Sequence, residues 1–152
     1  MAGRYGYIPL ALSPTGFVVA IDTPVVIATG AESAYFTVTF DGSTALQRFT
    51  STNDSMFTYI GDQSGWFVIY CGQSFTHATN NTLAHFSFFE NDIENEFVEA
   101  ERKISTGGDF GSASWGYLVY LEKGDVLKVK FKADKAGNLT INHGQFICFR
   151  IW

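Results

Sequence analysis

Phe146-Ile147-Cys148-Phe149-Arg150-Ile151-Trp152 closes the sequence, and Arg150 is its single polar residue. A strand that is apolar on both faces has to be covered on both sides. One face can lie on the core of a sandwich. The other needs a further element of the same chain or a neighbouring subunit, and after residue 152 the sequence offers nothing more to lay over it. A subunit contact is the expectation.

Working back from that strand, apolar residues recur at every second position or in short β-branched and aromatic runs, and no segment holds a helical period over three turns. The reading is all-β, with strands near 17–28, 34–40, 46–50, 56–59, 65–75, 82–89, 97–104, 117–121, 126–132, 139–142 and 145–152. Turn chemistry falls between them at Thr29-Gly30, Asp41-Gly42, Gly61-Asp62, Lys123-Gly124-Asp125, Ala136-Gly137-Asn138 and His143-Gly144. Residues 91–96 read as helix or loop. Many short strands at this spacing make a sandwich or a barrel.

The 152 residues suit one domain. Charged residues are 16% of the chain, against about 25% in an ordinary soluble protein. With 15 Phe, 7 Tyr and 3 Trp, this points to apolar surface that a partner covers, as buried interface centres favour aromatics. A net charge of −5 argues against nucleic acid. Lys128, Lys130 and Lys132 alternate with apolar residues and read as a solvated strand face rather than a phosphate-binding stripe. No stretch approaches the roughly 20 apolar residues of a membrane span, and no secretory signal opens the chain. Synthesis in the cytoplasm is expected, with no membrane insertion.

The chemistry for catalysis is missing from the pattern. His77, His85 and His143 stand in no nucleophile-elbow or metal-protease spacing and read as solvated turn residues. Asp92, Glu94, Glu96, Glu99 and Glu101 lack the spacing of a calcium loop and read as a solvated acidic edge. Cys71 and Cys148 lie in strand-like runs, where buried free thiols are the default; a disulfide between them is geometrically possible and the sequence does not decide it. No enzyme activity, metal or cofactor is expected. The stretch 106–117, with Asp109, Phe110 and Trp115 among small residues, reads either as an adaptable ligand loop for sugar or protein or as a connection whose Trp115 plugs the end of the sandwich.

The order of four motifs carries a resemblance: Phe57-Thr58, then Gly65-Trp66-Phe67-Val68-Ile69, then Leu121-Glu122-Lys123-Gly124-Asp125-Val126, then the closing strand. From about residue 17 to 152 the chain resembles the tumour necrosis factor and complement globular-head jelly-roll superfamily. The resemblance implies a ten-strand jelly roll that forms a homotrimer through aromatic residues, with Tyr70, Tyr120, Phe149 and Ile151 at the matching axis positions. Independently of family, Gly124 can take the positive φ of a reversal and Asp125 can bond nearby amides.

Residues 1–14 precede the domain 15–152 as an arm, able to reach about 45 Å when extended. Arg4, Tyr5, Tyr7, Ile8, Leu10 and Leu12 make it adhesive. With no collagen-like repeat, export signal or anchor, the chain looks like the small stand-alone jelly rolls of bacteriophage virions. The expectation is a capsid decoration or head-fibre module on the virion surface, bound through its arm to the major capsid protein or another virion protein. The alternative is a receptor- or carbohydrate-binding tip of a phage fibre.

Overall fold

A computed structural model describes residues 15–30 and 34–151, with the backbone alone for 43–45. Within them run twelve strands: β1 (Gly16–Ile21), β2 (Val25–Thr29), β3 (Phe36–Thr37), β4 (Gly42–Gln47), β5 (Phe49–Thr52), β6 (Met56–Tyr59), β7 (Gly65–His77), β8 (Thr82–Glu90), β9 (Ile93–Ile104), β10 (Phe110–Leu121), β11 (Val126–Ala133) and β12 (Gly137–Arg150). Sheet I has the order β10-β7-β12-β1-β4, with β2 also on β12; sheet II has the order β5-β6-β11-β8-β9, with β3 on β11. The pairings are antiparallel.

The inward residues of the two sheets meet in an aromatic core. Phe17 of β1 stacks on Phe57 of β6 at 4.6 Å and meets Phe49 of β5 edge-on at 5.0 Å. Phe146 of β12 reaches Phe17 and Phe57 at 5.1 and 5.8 Å. Phe67, Phe75, Phe86, Phe88 and Phe131 are also fully buried. Most of the phenylalanines that the composition singled out are therefore consumed inside one protomer, and the remaining exposed aromatics carry the argument about partners.

Several element boundaries differ from the sequence reading, each for a visible reason. The run 17–28 is two strands, because the Asp41 carboxylate accepts the amides of Asp22 and Thr23 at 2.7 and 2.9 Å and holds the chain in a turn before Pro24. Residues 91–96 are neither helix nor loop: Asn91 and Asp92 both take positive φ and close a two-residue hairpin into β9. His143-Gly144 is no turn, since residue 142 is absorbed as a bulge opposite β7 and β12 runs straight through. Residues 110–117 form a strand, pairing with β7 from Phe110↔Thr76 onward.

The turn before β11 follows the mechanical expectation. Gly124 has φ 102° and donates to Tyr59 O at 2.8 Å. Asp125 accepts the Glu122 amide at 2.6 Å and the Asn91 side chain at 2.9 Å, so one carboxylate ties this turn to the β8–β9 hairpin.

Candidate assembly surface

The outer face of sheet I is assembled from alternate residues of β7, β10, β12 and β1. Registers place Tyr120 beside Trp66, set Leu118, Val68 and Phe149 in one row across β10, β7 and β12, and set Tyr70, Ile147 and Val18 in another across β7, β12 and β1. Glycines shape the ridge: Gly116 lies opposite Tyr70, and a Cβ at Gly72 would stand 3.1 Å from the Tyr70 hydroxyl, so the ring lies down across Gly72. Trp66 is 45% exposed, Tyr70 37%, Tyr120 44%, Phe149 48% and Ile151 48%. Val18 and Leu118 are exposed beside them. Such a contiguous aromatic and aliphatic surface is what monomeric proteins avoid.

The four residues expected at a subunit axis thus share one exposed face. Ile151 is fixed there by its amide, which donates to Trp66 O at 3.0 Å. Trp66, Leu118 and Val18 belong to the same surface and escaped the sequence reading. The signal was present in Trp66-Phe67-Val68-Ile69-Tyr70, whose even-numbered members share a face.

Toward the other end of sheet I the face turns polar. Ser112, Ser114, Ser74, Gln145, His143 and Asp22, with Tyr70 at one side, border an open groove of about 600 Å³. Gln73 is turned inward instead, buried with its Nε2 3.4 Å from Cys71 Sγ. Both cysteines are free and buried, and burial pushes their thiols far above the ordinary range.

The outer face of sheet II is of a different kind. The lysines expected to be solvated are largely covered: Lys128 and Lys130 hold Asp92 at 2.7 and 3.0 Å, and Lys130 also lies over the Phe89 ring at 4.2 Å. Lys132 stacks on Tyr35 at 4.5 Å. The β8–β9 turn folds Asp92 back over β11, and the two ammonium groups hold its carboxyl below the usual range. These charges satisfy one another within the protomer, while Ile93 and Phe97 of β9 remain exposed.

The histidines are not solvated turn residues either. His77 is fully buried at the end of β7, with Thr29 and Thr82 on either side of its ring. His85 faces outward on β8 against Glu99 and Glu101. His143 is exposed within β12. Of the three residues proposed for a ligand loop, Asp109 and Phe110 are exposed, whereas Trp115 is buried, 6.0 Å from Phe88 and 6.2 Å from Phe146. Trp115 is a core residue of β10 and offers no surface to a ligand. Arg4, Tyr5, Tyr7, Ile8 and Leu10 lie outside the described residues.

No protein-family profile matches the chain, and no curated protein matches it by sequence. Solved structures do. The globular domain of zebrafish complement 1qA protein is similar with a TM-score of 0.63 at 14% identity, over 91% of this chain and 98% of that one. Eiger TNF from S. frugiperda gives 0.62 at 11% identity, over 91% and 93%. Murine APRIL at pH 5.0 gives 0.59 at 12% identity, over 90% and 100%. The chain has the all-β jelly-roll fold of these TNF and complement globular heads.

Proposed function

We propose that the chain is a non-enzymatic assembly module that forms a homotrimer through the apolar half of the sheet I face. The finer part of the proposal is that this trimer decorates a phage capsid or serves as a head-fibre module, gripping the shell with the arm from Arg4 to Leu12. The observation that carries the assembly claim is the exposed ridge of Trp66, Tyr70, Tyr120, Phe149 and Ile151. A threefold ring joins two different patches of each protomer, and this ridge supplies one of them. The family resemblance favours three copies over two. Decoration rests on the low charge and the adhesive composition of residues 4–12.

The experiment is to measure the solution mass of the full chain and of a version lacking residues 1–14, then mix each with undecorated capsids. Two trimers, of which only the full chain binds capsids, support both parts. A monomeric mass removes the assembly claim. Capsid binding that is absent, or that survives loss of the arm, removes the decoration claim.

A second reading, a receptor- or carbohydrate-binding tip, is favoured by one feature: the groove beside the ridge lines up hydroxyls and amides from Ser74, Ser112, Ser114 and Gln145 next to the Tyr70 ring. Polar groups beside an aromatic face suit a sugar. Glycan binding that is lost in Gln145→Ala while the trimer persists is the result that selects it.

A further inference from the structure

The outer face of sheet II carries a convergence of ligand atoms that the sequence spacing did not reveal. His85 Nδ1 lies 2.7 Å from Glu99 Oε1 and 2.9 Å from Glu101 Oε1. All three atoms fall within 4.8 Å of one another. His85 pairs directly with Glu101 across the β8–β9 ladder, and Glu99 is two residues further along the same face. Backbone pairing therefore holds the three positions together.

The local hydrogen bonding is poor for so close a group. A carboxylate only accepts, and a single ring nitrogen has at most one hydrogen to give, so two acceptors compete for one donor. Lys132 Nζ stands 3.9 Å from Glu99 Oε1, beyond hydrogen-bond length, and is engaged on the Tyr35 ring. A cation between the three atoms takes one lone pair from each of them, so that all three are engaged at once.

The geometry points to a divalent metal site formed by His85, Glu99 and Glu101, taking zinc or a similar first-row ion. One imidazole nitrogen with two carboxylate oxygens is a mixed donor set that suits these ions better than calcium, which takes six to eight oxygens. Metal–ligand bonds of about 2.0–2.2 Å require neighbouring ligand atoms to be about 3.3 Å apart, so the two contacts of His85 with the glutamates open by roughly half an ångström. Torsions of the two glutamate side chains supply that movement. Glu101 is the most open of the three, leaving room for water to complete the shell. Bound there, the ion clasps β9, the edge strand of sheet II, to β8. The site lies on the opposite sheet from the apolar ridge, so it stands or falls separately from trimer formation.

The test is calorimetric titration of zinc into the chelator-treated full chain, with hydrogen exchange of the β9 amides followed in parallel. The expected result is one ion per chain, slower exchange in β9, loss of binding in His85→Ala, and roughly tenfold weaker binding in Glu101→Gln, with His143→Ala unchanged. Glu101→Gln, at an exposed position, keeps the test decisive if His85→Ala does not fold. Absence of binding, binding that survives both site variants, or binding lost in His143→Ala overturns the site.

Discussion

Tyr120 stands directly across the β7–β10 ladder from Trp66, and their rings meet edge to face at 5.4 Å on the outside of sheet I. Aromatic pairs of this geometry gain about 0.5–1.5 kcal/mol beyond area burial. The Tyr120 hydroxyl is also tied to Ser64 Oγ at 3.1 Å. Two large side chains are thus held in fixed positions while nearly half of each remains exposed. A surface ordered in this way has paid its conformational entropy before any partner arrives, which favours association.

Tyr120→Glu places a charge in the ridge without touching the core. The expected outcome is loss of the trimer, with the released chains unfolding at micromolar concentration and circular dichroism falling in step with mass. Sedimentation velocity checks it. Unchanged association would show that the contact lies elsewhere.

Phe146→Ala attacks the interior instead. Phe146 is fully buried and touches rings of both sheets, Phe17, Phe40, Phe57 and Trp115. Truncation is expected to cost about 3–5 kcal/mol, a large share of the roughly 5–15 kcal/mol of a domain. Denaturant unfolding of the wild-type and Phe146→Ala chains at the same protein concentration reads the loss.

His77 gives the protein a defined acid response. The Thr79 amide donates to Nδ1 at 3.0 Å, so the neutral ring carries its proton on Nε2 and donates it to Thr29 Oγ1 at 3.2 Å. Burial lowers the pKa of the folded ring below the ordinary 6.5, and the charge of Asp134 opposes this without reversing it. As pH falls the unfolded chain takes the proton first. The stability that His77 contributes is complete above about pH 6.5, declines below it and levels off beneath the folded value. His77→Gln should show a shallower loss of unfolding midpoint between pH 7.5 and pH 5 than wild type; parallel slopes would remove His77 from the account.

Gln73 is a polar residue turned into the core, and its Oε1 has no hydrogen-bond partner. A buried unpaired acceptor costs about 1–3 kcal/mol, and leucine fills a similar volume. Gln73→Leu is expected to raise stability by about 1 kcal/mol, read by denaturant midpoint. Destabilisation would mean that this amide is satisfied in a way the protomer alone does not provide.

The alternation in Gly65–His77 and Val126–Ala133 was legible because each position there faces either core or surface, and period two follows from strand geometry. Breaks set by distant groups were not. Nothing local announces that Asp41 will cap the turn at Asp22 and Thr23. Residues 110–117 looked like a loop because glycine, serine and alanine weaken strand propensity. Gly111 is small for a packing reason: a Cβ there would stand 2.6 Å from Ile104 Cδ1. The apolar ridge was half legible, since the resemblance implied Tyr70, Tyr120, Phe149 and Ile151 at axis positions while Val18 joins only through the β1–β12 register. The His85, Glu99 and Glu101 group was invisible, because it depends on which residues β8 and β9 set side by side.

The most direct measurement is the mass of the wild-type chain by sedimentation equilibrium across the micromolar range, with unfolding followed at the same concentrations. The account predicts one species at three times the 16.8 kDa chain, whose dissociation and unfolding coincide. A stable, folded monomer at micromolar concentration would contradict it.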